Sequence, residues 1–193
     1  MKVVGVGCGP GMLTRAAADA ISRAGSLYGS PRAIALAADC IREDCPVHEI
    51  EDYKALRALS PTAVVLSTGD PMLAGLGYLG GEVIPGISSL QLAAARLGVP
   101  LTRVVIVNAH GRDHLHAIDE VVSEVQHGRI AFLIGDPTFS VPALAGALRA
   151  ASITCRLVVC ADLGYPEEEI CSGDTHNHPS VSSGLYVLFA GSF

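Results

Sequence analysis

Apolar positions in this chain follow two alternating patterns. Short apolar runs predict strands at Val3–Val6, Ser26–Tyr28, Val47–Ile50, Ala63–Ser67 and Val83–Ile84, then at Val104–Val107, Ile130–Ile134 and Arg156–Cys160. Between them, apolar residues recur at helical spacing. That period predicts helices from Leu13 to about Ala24, from Pro31 to about Cys40, from Asp52 as cap through Leu59, and over Met72–Leu79 and Ser88–Leu97. Further helices are expected at about His114–Gln126 and at Val141–Ala151. Strand and helix in alternation indicate an α/β domain with a parallel sheet, and the run Ala63–Ser67 between Pro61 and Gly69 has the unbroken apolar character of a buried parallel strand. The end differs: Glu169–Cys171 and Leu185–Phe189 are strands separated by turn-rich polar sequence, so antiparallel pairing is expected there. Gly98–Thr102 is the expected boundary between two lobes, 1–100 and 101–193.

Composition narrows the function. Half of the 193 residues are hydrophobic, which is ample for a core, and the net charge is -6. An acidic balance argues against nucleic acid or an anionic membrane as partner, but a few local arginines would still hold a small anionic substrate. No run reaches the 18 or so apolar residues of a membrane span, and the start of the chain reads as a strand and not as a signal peptide. The six cysteines form no C-x-x-C pair and read as reduced, mostly buried thiols of a cytoplasmic protein.

Three strand ends carry unusual turns: Gly5–Gly11, then Ser67-Thr68-Gly69-Asp70-Pro71, then Ile84-Pro85-Gly86-Ile87-Ser88-Ser89. In a parallel sheet all three fall on one edge, where ligands of open α/β sheets bind. Together they offer backbone amides, small hydroxyls and one carboxylate, which suits a zwitterionic ligand containing a nucleoside. Asp70 could hold a ribose or an amino group, and Ser88 and Ser89 a carboxylate or the adenine edge; singly, Asp70 is equally a turn residue and Ser88 a helix cap. A dinucleotide is the obvious alternative, and it fits poorly. The order G-x-G-x-G-P-G is not G-x-G-x-x-G, Pro10 removes an N–H where a pyrophosphate needs donors, and no acid stands at the end of the second strand.

With these residues in view, the chain resembles the tetrapyrrole methylases. Gly7-Cys8-Gly9-Pro10-Gly11 with Leu13-Thr14, Gly69-Asp70-Pro71 and Ile84-Pro85-Gly86-Ile87-Ser88-Ser89 match that family's motifs in order and at about its spacing. The resemblance implies a two-lobed α/β fold with a mostly parallel N-terminal sheet and a mixed C-terminal sheet, both carrying helices. It implies a homodimer and S-adenosyl-L-methionine as methyl donor, without a metal. It assigns cofactor binding to Gly7, Cys8, Gly9, Pro10, Gly69, Asp70, Leu73, Ser88 and Ser89. Asn108-Ala109-His110-Gly111-Arg112 and the stretch Asp162–Ile170 are similar to segments of the methyltransferases acting on carbon 5 of cobalt-precorrin-7. An anionic tetrapyrrole is then the expected substrate, with Arg112, His110 and Arg15 as its anchors, and a separate C-15 methyltransferase/decarboxylase is expected in the same pathway. No catalytic base is identifiable. Gly135-Asp136-Pro137-Thr138 departs from the family's usual pattern at that place.

Three rival readings stand beside this one. His110, His114 and His116 with Asp119 invite a metal, as do His176 and His178, but i and i+2 do not share a helical face, and surface histidines account for them better. A nicotinamide oxidoreductase and a nucleotide-binding protein without catalysis are the other two. Within the family, another corrin carbon, uroporphyrinogen or diphthine remain alternative substrates.

Overall fold

A computed structural model describes residues 1–111 and 113–193 of the chain. The chain divides into two compact units, Met1–Ser89 and Leu90–Phe193. The division falls about ten residues before the expected lobe boundary and assigns most of the helix over Ser89–Leu97 to the second unit.

The first unit is built on β1 (Lys2–Gly5), β2 (Ser26–Gly29), β3 (Val47–Glu49), β4 (Ala63–Ser67) and β5 (Glu82–Ile84). They form one sheet in the order β3-β2-β4-β1-β5, and every pair is parallel. Helices α1 (Arg15–Ser22) and α2 (Pro31–Ala37) supply its crossovers. Each starts at a side-chain cap: the Thr14 hydroxyl accepts from the Ala17 amide and the Ser30 hydroxyl from the Ala33 amide. Both helices present small residues to the sheet, with Ala17, Ala33 and Ala37 buried among Val4, Val6, Leu27, Val64 and Leu66. β4 is buried along its whole length, as its unbroken apolar run predicts.

Two expected helices of this unit are 3-10 turns. Over 52–59 only Ala55–Ala58 is helical, because Leu56 alone is buried there and Ser60-Pro61 follows at once. Asp52 serves a turn instead, its carboxylate accepting from the Lys54 amide at 2.8 Å. Over 72–79 only Leu76–Leu79 is helical, since Ala74 takes a φ of 54° and the Gly77 amide turns back to the Pro71 carbonyl.

The second unit contains α3 (Ser89–Leu97, its first residue in unit one), α4 (His114–Gln126) and α5 (Val141–Ala150). Its strands are β6 (Val104–Asn108), β7 (Ile130–Ile134), β8 (Arg156–Ala161), β9 (Glu169–Asp174) and β10 (Tyr186–Gly191). Their order is β6-β7-β10-β8-β9, with β6 and β7 parallel and every later pair antiparallel. The expected change of character toward the C-terminus is therefore present. Strand β10 lies at the centre and all six of its residues are buried, which explains why the Leu185–Phe189 region reads as one apolar run. α4 and α5 cover the sheet through Ile118, Val121, Leu144 and Leu148. Among the described residues no helix is long and apolar enough to cross a membrane.

Candidate functional site

The three unusual turns follow β1, β4 and β5, which are neighbours in the order β4-β1-β5. Parallel pairing brings all three to the carboxyl edge of the first sheet. There they touch through backbone. The Val6 amide donates to the Ser67 carbonyl at 2.9 Å, and Gly7 and Gly69 exchange hydrogen bonds, Gly69 N–H to Gly7 O at 2.7 Å and Gly7 N–H to Gly69 O at 3.3 Å. Gly7 at φ +83° and Gly69 at φ +67° adopt the left-handed backbone that this bridge requires. The third turn is closer still. A Cβ on Gly86 would lie 2.2 Å from the Gly69 carbonyl oxygen, and one on Gly5 would lie 2.5 Å from the Gly86 nitrogen. Glycine at both positions is a condition for the turns to meet.

Asp70 locks this arrangement. Its Oδ1 accepts from the Met72 amide at 2.8 Å and its Oδ2 from the Gly86 amide at 3.0 Å, so one carboxylate ties the second turn to the third. Both oxygens thus hold the protein's own backbone. Ser67 and Ser88 are buried, and the Ser67 hydroxyl accepts from the Leu76 amide at 3.3 Å, fastening the segment after the second turn. Cys8 is half-buried and its thiol faces the Met12 thioether at 3.5 Å. Pro10 and Gly11 are exposed at the tip of the first turn, and a Cβ on Gly11 would meet nothing within 4 Å.

The second unit has its own loop pair. β6 and β7 run parallel, and the loops after them lie side by side. The Ala109 amide donates to the Ile134 carbonyl at 3.0 Å, and His110 Nδ1 is 3.4 Å from the Gly135 carbonyl. A carbonyl can only accept, so Nδ1 carries the hydrogen in that contact. Asp136 comes next. Its Oδ2 accepts from the Gly111 amide at 3.2 Å and from His114 Nε2 at 3.1 Å, and its Oδ1 accepts from the Thr138 amide at 2.9 Å and the Thr138 hydroxyl at 2.6 Å. Those donors, Thr138 foremost, hold the Asp136 carboxyl well below the usual carboxylate range. Tyr186 donates its hydroxyl to the Asp136 backbone carbonyl at 3.1 Å, and burial, with the Asp136 charge second, pushes that phenol up to about 12.

The family model of the tetrapyrrole (corrin/porphyrin) methylases matches residues 2–177. The chain belongs to this family. Among curated relatives, the cobalt-precorrin-7 C(5)-methyltransferase of Salmonella typhimurium is 30% identical over 125 residues, 58% of this chain and 62% of the relative. The precorrin-6Y C(5,15)-methyltransferase [decarboxylating] of Sinorhizobium sp is 32% identical over 148 residues, 66% of this chain and 36% of that protein. The chain thus spans under two thirds of the length of either. Among solved structures, the precorrin-6Y methylase of Archaeoglobus fulgidus superposes with a TM-score of 0.78 at 27% identity, covering 99% of this chain and 96% of that one.

For this tetrapyrrole methylase, the residues expected to bind cofactor divide by position. Gly7, Cys8, Gly9, Pro10, Gly69, Asp70, Leu73, Ser88 and Ser89 all belong to the three turns at one sheet edge or directly follow them. Of the residues expected to hold substrate, Arg15 is exposed at the first position of α1 and His110 is exposed after β6. Arg112 lies outside the described residues. Asp136 escaped the sequence reading. Its only signal was that Gly135-Asp136-Pro137-Thr138 departs from the family pattern, and only the register of β6 on β7 shows what the carboxylate reaches. Among the described residues no group of three or more His, Cys, Asp or Glu is placed to hold a metal ion.

Proposed function

We propose that this chain is an S-adenosyl-L-methionine-dependent C-methyltransferase acting on carbon 5 of cobalt-precorrin-7 in cobalamin biosynthesis. One observation carries the reading: three backbone-rich turns meet at the carboxyl edge of an all-parallel sheet, in a family whose Salmonella typhimurium member bears that name. The residues fit the cofactor. Next to the tip of the first turn, a Cβ on Gly11 would meet nothing within 4 Å, and on Gly69 only the Ser88 Cα at 3.9 Å, so ligand atoms have room against bare main chain. Gly7, Cys8, Gly9 and Pro10, then Gly69, Asp70 and Leu73, then Ser88 and Ser89 would hold it. A pyrophosphate fits worse. Pro10 has no N–H to offer, and the Thr14 hydroxyl already accepts from Ala17 at the start of α1.

When bound, S-adenosyl-L-methionine supplies an electrophilic methyl group. The chain's own residues then have to hold the ring carbon in line with it and keep water out. Arg112 and Arg15 are the cations proposed to take the carboxylates of an anionic tetrapyrrole, for which arginine's planar fork is suited, with His110 beside Arg112 as a further substrate contact. Asp136 is no candidate base, because its acceptor sites are filled by the protein. The same reading includes a homodimer in the cytoplasm and a separate C-15 methyltransferase/decarboxylase in the pathway. Neither nucleic acid nor a membrane is part of it.

The first test is calorimetric titration with S-adenosylhomocysteine, with NADH in parallel. Saturable binding of the first alone supports the turn pocket, and binding of NADH alone overturns it. Transfer of one labelled methyl to cobalt-precorrin-7, located on the ring by NMR, then tests the position. Methylation at any other carbon refutes the assignment.

A further inference from the structure

Resting on that function, we infer that Asp136 is the positioning residue of the substrate loop, fixing the described residues on either side of position 112, Gly111 and His114, without touching the ring itself. The inference starts from saturation. An ionised carboxylate offers about four acceptor directions, and Asp136 receives four donors, two on each oxygen. Both of its oxygens are thus engaged by the protein itself. The four donors fall into two groups. Thr138 contributes two from its own loop, which fix the carboxylate against the end of β7. The other two come from the loop after β6, namely the Gly111 amide and the His114 ring. Gly111 and His114 bracket position 112 in the sequence, so Asp136 ties down both described flanks of the segment proposed to anchor the substrate.

Three more contacts make the hold rigid. The His114 ring packs edge-on against Phe139, with centroids 5.4 Å apart. The Asn108 carboxamide accepts from the His110 amide at 3.0 Å, closing the loop on its other side. Beneath, the Tyr186 hydroxyl supports the Asp136 backbone, and it sits close under Gly135, 2.8 Å from where a Cβ on that residue would lie. There is a chemical consequence for both histidines. A carboxylate accepts only, so His114 carries its hydrogen on Nε2; His110 carries its own on Nδ1 toward Gly135.

Asp136→Asn is the discriminating variant. It preserves shape, but its amide nitrogen must face either the two Thr138 donors or the Gly111 and His114 donors. Hydrogen exchange, read residue by residue, should leave the Gly111 amide protected in the parent and at least tenfold faster in the variant. In steady-state kinetics the tetrapyrrole KM should rise about tenfold or more, while kcat changes less than about threefold and S-adenosylhomocysteine affinity stays within about twofold. Nitrogen NMR should show the parent's His114 in the Nε2–H tautomer. Thr138→Val, which removes only one donor and no charge, serves if Asp136→Asn folds poorly, and should give the same KM effect in smaller measure. Unchanged Gly111 exchange overturns the positioning role. Faster exchange with an unchanged KM overturns its link to substrate. A parent that binds S-adenosylhomocysteine but transfers no methyl to cobalt-precorrin-7 overturns the substrate reading itself.

Discussion

Gly86→Ala tests the claim that the three turns meet as a unit only because two glycines let their backbones touch. The added Cβ would sit 2.2 Å from the Gly69 carbonyl oxygen, 2.8 Å from the Gly5 carbonyl carbon and 2.9 Å from the Gly5 Cα. All three are main-chain atoms at the ends of neighbouring strands, so no side-chain rotation relieves the overlap. Overpacking of this kind costs roughly 1–3 kcal/mol. Moving the third turn also stretches the Gly86 N–H bond to Asp70, and a hydrogen bond to a charged group contributes about 1.5–3 kcal/mol. The expected total is on the order of 3–5 kcal/mol, which for a chain of this size lowers Tm by about 10 °C. Gly11→Ala is the matched control. There the space is open but φ is +74°, so the cost is backbone strain alone, about 1–2 kcal/mol. Thermal unfolding followed by circular dichroism ranks the three proteins, and calorimetry with S-adenosylhomocysteine reads the pocket. Gly86→Ala should melt lowest and bind at least about tenfold more weakly, a factor equivalent to about 1.4 kcal/mol. A Gly86→Ala protein that melts within about 2 °C of the parent with unchanged affinity refutes the reasoning, since such a shift corresponds to about 1 kcal/mol or less.

Asp70→Ala should cost about 1.5–3 kcal/mol in urea unfolding because the Gly86 amide loses its acceptor, with Asp70→Asn costing about half as much; an unchanged unfolding free energy in both variants would refute that structural role. The depressed Asp136 carboxyl makes stability fall in acid. Its folded value lies below the unfolded one, so the unfolded chain binds more protons, and the contribution is complete above about pH 4 and is lost as pH falls below that. Urea midpoints followed downward from pH 5 should drop more steeply in the parent than in Asp136→Asn, and equal slopes would refute the linkage. Burial pushes the Cys160 thiol up to about 12 and raises that of Cys155, so at pH 8 an alkylating reagent should label half-buried Cys8 and Cys40 in the native protein and reach Cys155 and Cys160 only on unfolding; comparable native labelling of all four would contradict the packing around β8.

The architecture was legible wherever burial wrote an unbroken pattern. β4, β7, β8 and β10 sit inside their sheets and read as apolar runs, and α4 and α5 keep one apolar face over three turns. What misled was short amphipathic sequence without a long buried face. The stretch after Asp52 has good helix formers, yet Leu56 is its one buried side chain, and a single anchor does not stabilise an isolated turn of α-helix. The stretch after Met72 has two glycines and a left-handed Ala74, and its geometry follows contacts to Pro71 and Ser67 that no local pattern encodes. The site was half legible for the same reason. The three turns announced themselves by glycine and proline, whereas Asp136 looked like any aspartate before proline.

The glycines of the three turns serve distinct purposes, and the distinction bears on which ligand this sheet edge would suit. Gly5 and Gly86 are spacers: both lack positive φ, and a side chain on either would strike backbone. Gly7 and Gly69 are hinges, left-handed so that each exchanges hydrogen bonds with the other. A dinucleotide turn uses its glycines to point free amides at a pyrophosphate. Here the Gly7 and Gly69 amides are spent on each other, the Gly86 amide on Asp70, and Pro10 has none. Those three amides are therefore not free for an anion. A pyrophosphate would lose those donors, whereas a sulfonium amino acid joined to a nucleoside has no phosphate to satisfy. Where these three amides go thus adds to the argument that the glycine spacing and Pro10 already make against a nicotinamide cofactor.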